Sequence, residues 1–129
     1  MTYLLDTNWL LDYVGAKAAA IALVSELTAE EIALSVITLG EVYEGVFHKP
    51  LTNRQQVALD RMVTSSTLYA VDVKIAREYA RVRAQLRSSG NLIPDNDLWI
   101  AATALAYNLT LVSRDPHFQR VQELRVYVL

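Results

Sequence analysis

The fold is decided by a short apolar run that ends in an acid, Tyr3-Leu4-Leu5-Asp6-Thr7-Asn8. Its apolar part is typical of a buried strand, and the polar residues after it are typical of the turn into a helix. The pattern recurs late in the chain, where Leu109-Thr110-Leu111-Val112 leads through Ser113-Arg114 to Asp115. Because parallel strands of an α/β protein bring their carboxyl ends to one crevice, we expect Asp6 and Asp115 to meet there.

Between these runs, apolar strands alternate with helices. Further strands are predicted at Ile32-Ala33-Leu34-Ser35, Leu68-Tyr69-Ala70-Val71 and Val126-Tyr127-Val128. Helices are predicted after a cap at Thr7 or Asn8, over about 16–27 and 38–48, from 52, and over 73–88 and 97–107. The alternation indicates an α/β protein with a mostly parallel central sheet of four to five strands and helices on both faces. No long linker divides the chain, so residues 1–129 are expected to form a single domain.

The composition narrows the classes of protein. A hydrophobic fraction of 53% is enough for a packed core. The chain has no cysteine, which excludes disulfides, thiol catalysis and zinc–thiolate sites. No run approaches the roughly 20 apolar residues of a membrane span, and residues 1–6 do not resemble a signal peptide. These observations predict a cytoplasmic protein without a membrane partner.

Two further acids, Glu41 and Asp97, lie on predicted helices and complete a set of four with Asp6 and Asp115. Carboxylates brought together repel one another and raise each other's pKa, so such a cluster is costly unless a cation neutralises it. Hard oxygen ligands suit Mg²⁺ or Mn²⁺. The sequence therefore predicts that the four acids are metal ligands for one or two ions, in an enzyme that cleaves phosphodiester bonds.

Asp97 is predicted to lie on the buried face of its helix. It shares a helix face with Ile100, Ala101 and Ala104, which are expected to pack on the sheet. An unpaired acid buried there would cost several kcal/mol. Either a metal or the N–H groups of the helix would have to compensate the charge.

Four more polar residues are candidates for supporting the acids: Thr7, Asn8, Ser113 and Asp95. A hydroxyl on Thr7 can fix the carboxylate of Asp6, and Ser113 can do the same for Asp115. Asp95 either lines the metal site or belongs only to the turn before the helix. For all these positions an ordinary turn or helix cap is the alternative, because Asp, Asn, Ser and Thr all serve there.

Four arginines fall within eleven positions of one predicted helix: Arg77, Arg81, Arg83 and Arg87. Such a cluster can follow the phosphate backbone of RNA, although the net charge of −2 is lower than nucleic-acid-binding domains often have. A solvated helix face explains the arginines equally well.

The two histidines and two tryptophans are expected to have ordinary places. His48 and His117 are predicted at the surface, because neither has a second histidine at metal-ligand spacing. Trp9 and Trp99 are predicted in the core or at a dimer interface. None of these four residues is expected to take part in chemistry.

Four segments taken together resemble a PIN domain, and within that class the VapC ribonuclease toxins of VapBC toxin–antitoxin pairs. They are Leu5-Asp6-Thr7-Asn8, Ser35-Val36-Ile37-Thr38-Leu39-Gly40-Glu41 with Gly45, Asp97-Leu98-Trp99-Ile100-Ala101-Ala102, and Leu111-Val112-Ser113-Arg114-Asp115 with Phe118. No single segment is specific, but the ordered set is, and it extends along the whole chain.

The resemblance implies a divalent-metal endoribonuclease that acts as a growth-inhibiting toxin and forms a homodimer. It also implies a cognate VapB-like antitoxin whose C-terminal segment occupies the active-site groove. The family's metal-site acids correspond to Asp6, Glu41, Asp97 and Asp115, and its supporting hydroxyls to Thr7 and Ser113. Ser113 stands where the family often has threonine, and Asp115 occupies the family's least constant acidic position.

The metal-site interpretation and the resemblance imply the same chemistry. One or two Mg²⁺ ions would activate a water for in-line attack on the phosphate, leaving a 5′-phosphate and a 3′-hydroxyl. No side chain would need to act as the nucleophile, which is consistent with the absence of cysteine.

Rival classes fit the sequence less well. A receiver domain would need a lysine after the last strand, and the lysines are Lys17, Lys49 and Lys74. A haloacid-type phosphatase would need two aspartates separated by one residue after the first strand, where this chain has Asp6-Thr7-Asn8. A catalytically inactive PIN-fold module that binds RNA or protein stays open as an alternative, which a metal titration with an RNA cleavage assay would test.

Overall fold

The computed structural model describes residues 1–27 and 31–127. Its strands are β1 (Tyr3–Leu5), β2 (Ile32–Ser35), β3 (Thr67–Tyr69), β4 (Thr110–Val112) and β5 (Val126–Tyr127). Its helices are α1 (Thr7–Val14), α2 (Ala18–Glu26), α3 (Val36–His48), α4 (Asn53–Ser65), α5 (Val73–Ser88) and α6 (Asp95–Tyr107), followed by a 3₁₀ helix over Pro116–Arg120. Val128, which the prediction included in the last strand, lies outside the described residues.

The strands form one sheet in the order β3-β2-β1-β4-β5, and every neighbouring pair is parallel. The predicted α/β class and parallel sheet are therefore confirmed. The chain proceeds from β1 outward through β2 to β3 and then returns to the other side of β1 to form β4. This reversal makes the carboxyl ends of β1 and β4 the topological switch point, where α/β proteins place their crevice.

Helices cover both faces of the sheet, as predicted. Leu4 and Leu111 pack with α5 and α6 on one face. Their neighbours Leu5 and Val112 pack with α1, α2, α3 and α4 on the other face. Because both faces are covered, the central strands β1, β2 and β4 are almost wholly buried and show no strict alternation of apolar and polar residues, whereas the edge strand β3 is mostly exposed. Among the described residues, no helix combines the length and the apolar character that crossing a membrane requires.

Several element boundaries differ from the predicted ones, and side-chain caps mark the starts of α1 and α5. Asp6, and not Thr7 or Asn8, caps α1 by accepting a hydrogen bond from the Thr7 N–H. Asp72 caps α5 by accepting a hydrogen bond from the Ile75 N–H. Strand β3 ends at Tyr69, so Ala70 and Val71, which were predicted in the strand, connect it to α5. Helices α3 and α6 each begin two residues earlier than predicted, at Val36 and Asp95.

Candidate active site

Asp6 is the buried centre of the site. Its side chain follows β1 at the switch point, and the residue is only 5% exposed. Its Oδ1 accepts a 2.7 Å hydrogen bond from the Thr7 N–H, and its Oδ2 accepts a 2.7 Å hydrogen bond from the Ser113 hydroxyl. Burial raises the pKa of Asp6 above its ordinary value, the charge of Asp115 raises it further, and the two hydrogen bonds oppose this change.

Thr7 contacts two of the acids, and its hydroxyl binds a different acid from the one predicted. Its hydroxyl donates a 2.8 Å hydrogen bond to Glu41 Oε1 and lies 3.3 Å from the Thr38 hydroxyl. The prediction that this hydroxyl binds Asp6 is wrong. Asp6 Oδ1 is already bonded to the backbone N–H of Thr7, which leaves the side chain free to reach α3. Thr7 therefore connects α1 to the Glu41 carboxylate.

Ser113 likewise supports a different acid. It was predicted to hold Asp115, but its hydroxyl donates to Asp6. The Ser113 oxygen in turn accepts a 3.0 Å hydrogen bond from the Asp115 N–H. The physical reason is the pairing of β1 with β4, in which the Asp6 N–H bonds the Val112 carbonyl at 3.0 Å. That pairing places Ser113 directly beside Asp6.

Asp97, Asp115 and His117 form a compact group of possible metal ligands. One ligand atom from each of these residues lies within 4.8 Å of the others. His117 Nδ1 is 3.2 Å from Asp97 Oδ2 and 3.2 Å from Asp115 Oδ1. Asp115 also accepts a 2.9 Å hydrogen bond from the His117 N–H and so caps the 3₁₀ helix. Its predicted turn role and its place in the acidic group are therefore compatible.

The prediction that His117 is an ordinary surface residue is wrong. Its side chain is 39% exposed, but its ring contacts two of the four predicted acids. The sequence pattern of two histidines at metal-ligand spacing does not identify His117, because the residues that it contacts are carboxylates. The available signal was its position two residues after Asp115, at the start of a turn.

Asp97 is half-buried and interacts electrostatically with the other acids of the site. Burial raises the pKa of Asp97, and the negative charges of Asp115 and Asp6 raise it further, while His117 acts in the opposite direction. This mutual repulsion shows that the carboxylates share one electrostatic environment. Clustered carboxylate oxygens suit a hard divalent cation, and the imidazole nitrogen beside them is a further possible ligand. The residues present therefore fit a divalent cation.

An open groove of about 520 Å³ passes over this group. Its lining residues are Glu41, Pro94, Asp95, Asn96, Asp97, Asp115 and His117. Three of the four predicted acids thus face one groove, and Asp6 adjoins them through Ser113 and Thr7. The four sequence-predicted acids, from four separate elements, are brought to the same end of the sheet.

Two predicted supporting residues take other positions. The Asp95 side chain is 65% exposed, and its Oδ1 accepts a 2.9 Å hydrogen bond from the Tyr79 hydroxyl and lies 3.5 Å from Arg83 Nε. Asp95 is therefore at the rim of the groove, whereas Asp115 is in the ligand group. Asn8 is exposed, and its side chain makes no hydrogen bond to the described residues.

The arginines of α5 do not form one free basic stripe. Arg81 pairs with Glu78 and with Glu123, each at 2.7 Å. Arg83 lies 3.5 Å from Asp95, which lines the groove. Arg77 and Arg87 are exposed, and within residues 1–27 and 31–127 no ion pair engages them. Two of the four arginines thus balance acids of the protein itself.

Comparison with known proteins agrees with this geometry. The PIN domain family profile matches residues 3–124. Ribonuclease VapC2 of Rickettsia felis is 32% identical over 127 residues, covering 96% of this chain and 95% of that protein. Ribonuclease VapC2 of Haemophilus influenzae is 29% identical over 126 residues, covering 97% of this chain and 96% of that protein.

Solved structures give the same result. The structure of VapBC2 from Rickettsia felis bound to a DNA fragment from their promoter superposes with a TM-score of 0.87 at 29% identity, covering 99% of this chain and 98% of that chain. VapBC-1 from nontypeable Haemophilus influenzae superposes with a TM-score of 0.83 at 26% identity, covering 99% and 98%. The chain therefore belongs to the PIN-domain family and groups within it with the VapC proteins, as its motifs predicted.

Proposed function

We propose that this protein is a divalent-metal-dependent endoribonuclease, the toxin of a toxin–antitoxin pair. The observation that carries the proposal is the convergence of Glu41, Asp97 and Asp115 on one open groove, with Asp6 buried beside them. The relatives named above are ribonucleases, and two of the similar structures are VapBC assemblies. Residues 1–129 are taken as a single domain in this proposal.

The metal ligands in this proposal are Asp97 and Asp115, with Glu41 and Asp6 completing the set. One or two Mg²⁺ or Mn²⁺ ions, when bound, supply a polarised water and neutralise the phosphate charge. The protein's own contribution is to hold the acids in place before binding. Thr7 orients the Glu41 carboxylate, and the carboxylates supply no nucleophile of their own.

RNA reaches the acids through the open side of the groove. Arg83 lies 3.5 Å from Asp95, which lines the groove, and is the arginine best placed to meet a phosphate. Arg77 and Arg87 are exposed on the same helix and extend the contact in this proposal, and Arg81 has to leave two glutamates to join them. Phosphate contacts of this kind predict a cleavage rate that falls as salt rises.

The proposed partners are a VapB-like antitoxin and a second copy of the chain. The antitoxin is proposed to cover the groove with a basic side chain, because a cation can replace the metal against clustered carboxylates. An arginine suits this role, since its planar fork pairs with two carboxylate oxygens at once. We place the pair in the cytoplasm, where an RNA substrate is available.

The proposal is tested by incubating the purified protein with RNA in Mg²⁺, Mn²⁺ or EDTA. Cleavage is expected with metal, none with EDTA, and none with the variants Asp97→Asn and Asp115→Asn. Asp60→Asn is the matched control, because Asp60 is an exposed acid on α4 and an asparagine keeps the oxygen that accepts from Gln56. Metal-independent RNA binding without cleavage would instead support the inactive binding module.

A further inference from the structure

In the sequence, Arg114 lies between Ser113 and Asp115 of the site. Its side chain, however, contacts helix α1. Its Nη2 is 2.6 Å from Asp12 Oδ2, and its guanidinium carbon lies 4.2 Å from the centre of the Trp9 ring. A guanidinium that stacks on an aromatic ring and pairs with a carboxylate at the same time is held in position and in orientation.

The surface that receives Arg114 is formed by Trp9 and Asp12 of α1. Trp9 is only 3% exposed and belongs to the core beneath the sheet, as predicted for a core residue. Asp12 follows one helical turn later on α1, so its carboxylate and the Trp9 ring form one platform. The hydrogen bond from Arg114 holds the pKa of Asp12 below its ordinary value, and Lys17, 3.5 Å from the same carboxylate, adds to this effect.

The residues on either side of Arg114 both serve the acidic group. Ser113 donates to Asp6, and the Asp115 N–H donates back to Ser113. Asp115 in turn contacts His117 in the ligand group. Because β4 ends at Val112, the segment 113–115 lies beyond the sheet, where each of its three side chains makes a polar contact.

We propose that Arg114 is a positioning residue, which clamps the segment 113–115 onto Asp12 and Trp9 and so holds Ser113 and Asp115 ready for the metal. This inference rests on the proposed metal-dependent function. It assigns a role in the site to Asp12, an acid outside the predicted set of four. The clamp acts before RNA arrives and through metal affinity.

The rival role for Arg114 is direct contact with an RNA phosphate. The two roles differ in what Asp12 does. If Arg114 is a clamp, Asp12 is the residue that it binds. Removing Asp12 should therefore weaken Mn²⁺ binding as much as removing Arg114 does. For a phosphate contact, Asp12 is a competitor, so removing it should leave Mn²⁺ affinity unchanged and should favour RNA binding.

The experiment measures Mn²⁺ affinity by calorimetry in the absence of RNA, and the kcat and KM of RNA cleavage separately. Arg114→Ala and Asp12→Ala are each expected to weaken Mn²⁺ binding about tenfold. The double variant should be no worse than Arg114→Ala alone, since both changes break one contact. Arg114→Lys keeps the charge without the planar fork and should recover part of the affinity.

Arg125→Ala is the matched control. Arg125 is an exposed arginine that donates to Asn108, at the amino end of β4, whereas Arg114 lies beyond its carboxyl end. Its loss should leave Mn²⁺ affinity unchanged. In a Trp99→Phe background, in which Trp9 is the remaining tryptophan, the emission of the metal-free protein should shift on Arg114→Ala and not on Arg125→Ala.

Three results would overturn the inference. Arg114→Ala with wild-type Mn²⁺ affinity and a raised KM would assign Arg114 to RNA contact. Additive losses in the double variant would show that Asp12 and Arg114 act separately. A wild-type protein that binds no Mn²⁺ would refute the proposed function itself, and the clamp's role with it. Weakened affinity in both single variants, with an unchanged fold by circular dichroism, would support the clamp.

Discussion

The hydroxyl of Ser113 donates a 2.7 Å hydrogen bond to Asp6 Oδ2, although the two residues are separated by 107 positions in the sequence. Asp6 follows β1 and Ser113 follows β4, and these strands are hydrogen-bonded neighbours. The contact therefore exists because the chain crosses the sheet and returns beside its first strand. It holds the most buried acid of the candidate site in a fixed orientation before any cation binds.

Asp6→Asn is expected to abolish RNA cleavage and to leave the metal-free fold as stable as the wild type or slightly more stable. Burial raises the pKa of Asp6, so a neutral amide removes an unfavourable charge, and its oxygen can still accept the Thr7 N–H. Denaturant unfolding in EDTA measures the change. Asp6→Ala, which also loses the helix cap, should be less stable by about 1 kcal/mol. A large loss in Asp6→Asn would identify Asp6 as a purely structural residue.

Ser113→Ala is expected to destabilise the protein by about 1–3 kcal/mol, because it leaves the buried Asp6 oxygen and the Asp115 N–H without their partner. Ser113→Thr keeps the hydroxyl and should retain cleavage activity. Thermal unfolding and an RNA cleavage assay on both variants provide the measurement. Equal activity of the alanine and threonine variants would show that the hydroxyl does not orient the acid.

Thr7→Val is expected to weaken Mn²⁺ binding about tenfold, because Glu41 loses the hydroxyl that orients its carboxylate. Valine preserves the shape of the side chain, and the backbone N–H that binds Asp6 stays in place. Calorimetry gives the affinity. The neighbouring exposed residue Asn8 supplies the control, since Asn8→Ala should bind Mn²⁺ as the wild type does. An effect of Asn8→Ala as large as that of Thr7→Val would refute the specific role of Thr7.

The stability of the metal-free protein should contain a pH-dependent part that comes from Asp6 and Asp97. Both have a pKa raised above the ordinary value of 3.8, so the folded state holds these protons more tightly than the unfolded state. Their contribution to stability is therefore greatest below 3.8 and is lost as pH rises through the raised pKa.

The measurement is the difference in unfolding free energy between the wild type and the Asp6→Asn, Asp97→Asn double variant, taken in EDTA across this window. The double variant should gain relative to the wild type as pH rises. Acids with a lowered pKa, such as Asp12, change stability in the opposite direction but are common to both proteins. A difference that does not vary with pH would contradict the prediction.

An antitoxin C-terminal peptide that carries an arginine should compete with Mg²⁺ for the groove. The guanidinium would pair with the clustered carboxylates that otherwise hold the metal. Calorimetric Mg²⁺ titrations with and without the peptide measure the competition, and a peptide with arginine changed to glutamine is the control. Unchanged Mg²⁺ affinity in the complex would place the inhibition elsewhere, for example on the arginine-bearing helix α5.

The sequence by itself determined the class of fold and the identity of the clustered acids. Short apolar runs such as Tyr3–Leu5, bounded by turn residues, favour buried strands, and their alternation with helices favours parallel connections. Parallel connections bring all carboxyl strand ends to one edge. Asp6, immediately after β1, and Asp115, three residues after the end of β4, are therefore directed to the crevice.

Only the tertiary structure decided which group each side chain contacts. Thr7 bonds Glu41 and not Asp6, Ser113 bonds Asp6 and not the Asp115 carboxylate, and His117 joins the acids. These contacts depend on strand register and helix rotation. A shift of one residue turns a strand side chain to the other face and rotates a helical one by about 100°. Local sequence signals do not determine geometry that finely, because it is set by packing between elements distant in the chain.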